Sequence, residues 1–143
     1  MKISAMLARK GTFVATIAPV ASVEDAVGEL ASHNVGALVV STDGRVVEGI
    51  VSERDIVRAV NRLGVGVLTQ PVSEIMSEAV VTCSPADTIE SLMVTMTERR
   101  VRHIPVVEDG LLAGMVSIGD VVKNRIDELE EDRKALVDYI NAR

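Results

Sequence analysis

Gly49-Ile50-Val51-Ser52-Glu53-Arg54-Asp55 and Gly114-Met115-Val116-Ser117-Ile118-Gly119-Asp120 share one pattern: a glycine, a short apolar run, then Ser-x-x-Asp. An apolar run that ends at a serine, with a carboxylate three residues on, reads as a strand entering a helix. The serine caps a free backbone N–H, and the carboxylate sits near the positive end of the helix dipole. A second reading lies on top of the first. A helix start presents N–H groups to an anion, and a hydroxyl beside them can hold a phosphate oxygen. A carboxylate in the same turn can accept hydrogen bonds from two ribose hydroxyls. One Ser-x-x-Asp is a weak signal; two at matching places after matching strands are a strong one.

The match extends outward. With an offset of 66, Thr16 meets Thr82, Pro19 meets Pro85, Glu24 meets Glu90, Val35 meets Val101 and Val40 meets Val106. Asp43-Gly44 meets Asp109-Gly110, and after one dropped residue near Glu48 the two motifs align at an offset of 65. That makes 12 identities over about 42 aligned pairs, where ordinary residue usage gives about three. Each copy reads strand, helix, strand, strand, helix. The first strands are 14–17 and 80–83. Ser22 and Thr88 are helix N-caps. Val23, Ala26, Val27 and Leu30, and Ile89, Leu92, Met93 and Met96, form one buried stripe on each helix. Strands 37–40 and 46–51, and 104–107 and 111–116, are joined across Asp-Gly, a short hairpin signal. Segments 3–7 and 72–76 lead into the copies as brief helical turns. The expected division is 1–62 for the first repeat with its lead-in, 63–71 for a connector, 72–125 for the second repeat and 126–143 for a helical extension. A unit of about 60 residues is marginal alone, so the copies are expected to pack sheet to sheet over a common core.

Composition narrows the function. The chain has 143 residues and a net charge of −6, with 48% hydrophobic and 25% charged residues. Phe13 and Tyr139 are the only aromatic rings, which disfavours base-stacking nucleic-acid platforms. The acidic balance repels DNA and anionic membrane. Cys83 is the single cysteine, so neither an internal disulfide nor a zinc cluster is expected. No apolar run approaches the roughly 18 residues of a membrane span. Residues 1–10 lack an unbroken apolar signal region. The expected compartment is the cytoplasm.

On the repeat, the Asp-Gly hairpins and the Gly-x-Val-Ser-x-x-Asp ending, residues 1–125 resemble a tandem pair of CBS domains, the modules named after cystathionine β-synthase, in their small standalone form. The resemblance implies an α/β fold of two β-α-β-β-α repeats packed through their sheets, with a long C-terminal helix added. It implies two clefts that take adenosyl ligands such as AMP, ADP, ATP, NAD or S-adenosylmethionine. By the same resemblance Asp55 and Asp120 hold ribose, and Ser52 and Ser117 hold phosphate or ribose. The backbone near Thr16, Ala37, Leu38, Thr82, Ile104 and Pro105 would line the adenine pockets.

Arg99-Arg100-Val101-Arg102-His103-Ile104-Pro105 stands where a helix gives way to a strand. Arg99 and Arg100 can complement a helix C-terminus. Arg102 and His103 read as phosphate contacts, as the Arg-His-x-Pro turn of similar CBS pairs implies. Copy one has Asn34-Val35-Gly36-Ala37-Leu38 there, with no cation. The two clefts are therefore expected to be chemically unequal. Gly36 and Ala37 suit close backbone approach to a base. Arg54 either supplies the missing positive charge or is a solvated arginine in a first helical turn.

Other candidates carry less. His33 reads as a helix-end or solvent histidine, and Cys83, aligned with Ile17, as a small buried apolar residue. A Cys83–His103 nucleophile pair has no oxyanion hole by motif. Gly64-x-Gly66 lacks the third glycine of a dinucleotide fingerprint. Residues 121–141 form one helical pattern whose Val122, Ile126, Leu129, Leu136 and Ile140 make a coiled-coil-like seam broken at Arg133. Such a seam docks on its own fold or on a second subunit.

These readings point to a non-catalytic sensor without a catalytic cofactor. It would bind AMP or NAD(H), with ATP admitted and S-adenosylmethionine ranked behind them, and signal to an unidentified regulated protein. The alternative is a structural or partner-binding module whose clefts stay empty. A third class, an enzyme, is disfavoured: these 143 residues are too few to hold the catalytic barrel of about 250 residues that inosine monophosphate dehydrogenase carries. A homodimer is expected, with no nucleic-acid or membrane partner.

Overall fold

A computed structural model describes residues 1–142; residue 143, the last of the expected helical extension, lies outside them. The chain runs α1 (Ile3–Lys10), β1 (Thr16–Ile17), α2 (Val23–His33), β2 (Ala37–Val40), β3 (Gly49–Ser52), α3 (Glu53–Leu63), two 3-10 turns (Val65–Thr69 and Val72–Glu74), α4 (Ile89–Arg99), β4 (His103–Glu108), β5 (Leu111–Ser117) and α5 (Ile118–Asn141). This is an α/β fold built from a repeated unit.

Local chemistry sets the helix starts. Ser22, Ser52 and Ser117 each accept a hydrogen bond from the N–H of an aspartate three residues on, whose carboxylate accepts in turn from the serine N–H. These are complete capping boxes. Thr88 accepts from the Ser91 N–H. Behind the caps, Val23, Ala26 and Leu30, and Ile89, Leu92 and Met96, are buried. The stripes are narrower than the sequence suggested: Val27 and its counterpart Met93 are 42% and 37% exposed.

The two copies differ in their sheets. In the first, β1 runs parallel to β2 and β2 antiparallel to β3, with Val40 opposite Gly49. In the second, β4 and β5 pair alone, and the expected strand over 80–83 shrinks to a parallel bridge of Cys83 to Val106. Pro105 explains the loss. Its counterpart Val39 donates its N–H to Ala15 O at 3.1 Å, whereas proline has no N–H to give.

The Asp-Gly turns diverge as well. Asp109 and Gly110 have φ of 53° and 77° and join Glu108 directly to Leu111, the positive-φ pair a two-residue hairpin demands. Asp43-Gly44 does not make such a hairpin, and the strand expected over 46–51 begins only at Gly49. The Asp43 carboxylate accepts from the Arg45 and Val46 N–H groups and from the Ser41 hydroxyl. These bonds lower its pKa, the Val46 one foremost. A side chain thus closes the loop that the sequence assigned to a backbone turn. The loop presents Arg45 O to the Leu112 N–H of the other copy at 2.7 Å.

A common core is not what forms. The buried residues make two clusters, one for each copy, and the lead-ins are exchanged between them. Ile3, Met6 and Leu7 of α1 pack with Ile89, Leu92, Ile104 and Val116. Val72, with Ile75 and Met76 beside it, packs with Val23, Leu30, Leu38 and Val51. The motif glycines make room for this. A Cβ on Gly49 would lie 2.6 Å from Met76 Sδ, and one on Gly114 2.7 Å from Leu7 Cδ2. Alternation along the strands sends Leu38 and Val40, and Ile104 and Val106, into the clusters. Val39 and Pro105, at matching places on the opposite faces, are fully buried and belong to neither cluster. The copies meet across those faces.

Candidate functional site

Each copy brings its two informative stretches together by one backbone hydrogen bond. The Glu53 N–H donates to Gly36 O at 3.0 Å, and the Ile118 N–H to Arg102 O at 2.8 Å. The turn before the middle strand is thereby fastened to the start of the copy's own motif helix. Packing of the copies then sets the turn of one against the helix start of the other. Gly36 lies so near His103 that a Cβ there would stand 3.1 Å from the imidazole Cε1.

A cavity of about 220 Å³ lies at this meeting. Its first wall is Gly36, Ala37, Ile50, Ser52, Glu53, Arg54, Asp55 and Arg58; its second is Ser77, Ala79, Val80, Val81 and Arg100 to His103. Seven of the residues singled out in the sequence line it together: Gly36, Ala37, Ser52, Arg54, Asp55, Arg102 and His103. The cation that copy one lacks in its own turn is supplied by copy two and by Arg54. Arg100 belongs here too, although the sequence placed it at a helix end. It does cap α4, in the left-handed conformation with φ 53°, matching Asn34 at φ 52° on α2, and from there it reaches the cavity. Arg58 was missed. It follows Arg54 by one helical turn, the spacing that puts both on one face. The apolar wall of Val80 and Val81 was read only as strand.

Hydrogen bonding within the motif limits what it can offer. Ser52 Oγ accepts from the Asp55 N–H and donates to Asp55 Oδ2 at 2.9 Å. The Glu53 N–H is taken by Gly36 O. The helix start therefore has its Ser52 hydroxyl and Glu53 N–H already engaged, whereas the arginines of the lining are in no ion pair among the described residues. No cation is paired with the Asp55 carboxylate among the described residues. His103 is half-buried, and burial lowers its pKa, helped by Arg102 and Lys10 and opposed by Glu53 and Asp120. The imidazole is neutral near pH 7.

The remaining candidates do not line this cavity. Leu38 and Ile104 point into the two cores, and Pro105 is buried between the sheets. Thr16 lies in β1, and Thr82 is exposed beside the Cys83 bridge. Ser117 caps α5. Asp120 opens onto a second hollow, where Lys10 Nζ stands 2.6 Å from its Oδ2. Burial there works to raise the Asp120 pKa, but the bonds from Lys10 and the Ser117 N–H outweigh it and the net shift is downward. Cys83 is half-buried and its thiol pKa is pushed up to about 12, chiefly by burial, which leaves no thiolate near neutral pH. His33 pairs with Glu29 at 3.1 Å. No group of acidic, His and Cys side chains suited to a metal ion occurs among the described residues, and no described helix is long and apolar enough to cross a membrane.

A family model for the CBS domain matches residues 12–62 and again 72–127. The chain is 41% identical over 123 residues, 83% of its length, to a mitochondrial CBS domain-containing protein of Arabidopsis thaliana, and spans 60% of that protein. A solved CBS-domain containing protein from Agrobacterium tumefaciens superimposes with a TM-score of 0.84 at 48% identity, covering 87% of this chain and 99% of the other. A CBS domain protein from Pyrobaculum aerophilum complexed with AMP superimposes with a TM-score of 0.75 at 28% identity, covering 84% and 89%.

Proposed function

Since this chain belongs to the CBS domain family, as a pair of such domains, we propose that it is a non-catalytic regulatory module that binds an adenine nucleotide in the cavity between Ser52–Asp55 and Arg100–His103. One observation carries the reading. Four arginines, Arg54, Arg58, Arg100 and Arg102, line a cavity that Asp55, Val80 and Val81 also line. Those are the three chemistries of a nucleotide: phosphate for the arginines, a ribose diol for the carboxylate, a base for the apolar wall. The AMP held by the similar protein from Pyrobaculum aerophilum supports the same class of ligand.

AMP and NAD(H) are the ligands we favour, with ATP admitted by the number of cations and S-adenosylmethionine behind them. Occupancy would tie the two copies together across the cavity and so stiffen the pair for a regulated protein to sense. We place this activity in the cytoplasm and in a homodimer. The test is thermal melting with AMP, ATP, NAD, NADH and S-adenosylmethionine. A ligand at about 100 times its Kd should add about 2.7 kcal/mol of stability. Absence of any shift at millimolar concentration would leave a structural or partner-binding module with empty clefts.

A further inference from the structure

Asp55 and Asp120 are the same residue of the repeat, and so are Arg58 and Lys123, Ile50 and Met115. The hollow beside Asp120 is walled by α1 and shares with the first cavity only the repeat positions of Asp120 and Lys123, which answer to Asp55 and Arg58. Among the differences between the two places is one on the lead-ins, Lys10 against Met76. In the first copy Ile50 O accepts the Ser77 N–H at 2.9 Å, Met76 lies over Gly49, and the Asp55 carboxylate faces the cavity with its own helix cap as its hydrogen-bond partner. In the second, Asp120 keeps the same cap bond from the Ser117 N–H, and an ammonium group is added to it. Lys10 Nζ donates to Met115 O at 2.7 Å and to Asp120 Oδ2 at 2.6 Å.

We propose that Lys10 is a built-in occupant of the second cleft: it holds the carboxylate that a ribose would need, so each chain takes one nucleotide, at Asp55, until Lys10 is moved aside. The inference rests on the nucleotide reading above. A ribose diol is neutral, and its hydrogen bonds to Asp120 would replace an ion pair and leave the ammonium with Met115 O alone. The ion pair is partly buried, with side chains 32% and 25% exposed, so water screens it less than an open surface pair. Lys10 belongs to α1, which is anchored in the second core through Ile3, Met6 and Leu7. It cannot swing clear without local unfolding of that helix or rotation of its own side chain.

Calorimetric titration with AMP tests this. The wild-type chain should bind one AMP. Lys10→Met, which writes the first copy's residue into the second, should bind two, and Lys10→Arg should remain at one. Asp55→Ala should weaken binding by the wild type by about a hundredfold or more but leave one site unweakened in the Lys10→Met background. Lys10→Gln serves the same purpose should the methionine variant fail to fold, as judged by circular dichroism. Two sites in the wild type, or one in a folded Lys10→Met, would overturn the role of Lys10 while the nucleotide reading stands. No AMP heat in any protein would sink both, and is distinguished by the silent wild type.

Discussion

Arg102 and Asp55 stand on opposite walls of one cavity, and their contributions to binding can be separated by ligand chemistry. Arg102→Ala should weaken AMP binding at least tenfold and leave adenosine nearly unchanged, since only AMP carries the phosphate a guanidinium grips. Asp55→Ala should weaken both, by about 3 kcal/mol for two hydrogen bonds to a charged group. It should cost only about 0.5–2 kcal/mol of stability for the damaged cap. Equal losses for AMP and adenosine on Arg102→Ala, measured by calorimetry, would remove the phosphate role. His103 adds a pH dependence of defined sign. Its folded pKa lies below the ordinary 6.5, so above about 6.5 both folded and unfolded chains are neutral there. As pH falls through 6.5 the unfolded chain gains the proton first, and stability declines until the folded pKa is passed. A bound phosphate draws that proton back against the opposing charges of Arg102 and Lys10, with Glu53 and Asp120 on its side. AMP should therefore bind more tightly to wild type than to His103→Gln at pH 5.5, with the gap closing by pH 7.5. The comparison of variants cancels AMP's own phosphate proton, which titrates near 6.

The exchanged lead-ins make an unexpected assignment at the level of the element. Leu7 precedes the first copy in sequence but is buried in the second copy's core. Leu7→Ala should cost about 2–5 kcal/mol. Amide exchange should quicken first in β4, β5 and α4, with β2 and β3 still protected; the reverse order would contradict the packing. Much of the element pattern was legible because it is set locally. The capping boxes at Ser22, Ser52 and Ser117 need only four adjacent residues, and each formed as read. What escaped depends on partners distant in the chain or on a side chain replacing the backbone. Asp43 closes its loop with a carboxylate, Pro105 removes a ladder bond, and Lys10 meets Asp120 across most of the sequence. Seven residues of the cavity were visible as motifs. That Arg102 of one copy would face Asp55 of the other is set by how two sheets pack, which no local pattern encodes.

On the scale of the whole molecule, two pairs of exposed apolar residues are repeat-related. Val27 matches Met93 and Val57 matches Val122, all of them outward-facing, and α5 continues with exposed Ile126, Leu129, Leu136 and Ile140. The seam does not dock on its own fold. A two-fold partner covers such paired patches economically, because one contact pattern serves both copies. Light scattering should give about 31 kDa, twice the 15.3 kDa chain, and truncation after Lys123 should weaken the association. A monodisperse species of 15.3 kDa at micromolar concentration would show that the patches serve another protein.

The lead-in exchange also orders events on the ribosome. Every residue of the first core cluster lies between Ala15 and Val72, so that half can close while the rest of the chain is still being made. The second half cannot. Its helix α1 leaves the exit tunnel well before the groups it bonds, Pro85 O, Asp87 O and the core around Ile89. At about 5–20 residues per second, the intervening stretch of roughly 80 residues keeps α1 waiting for about 4–16 s. During that interval Ile3, Met6 and Leu7 are bare apolar surface on a nascent chain, the kind of segment a chaperone binds.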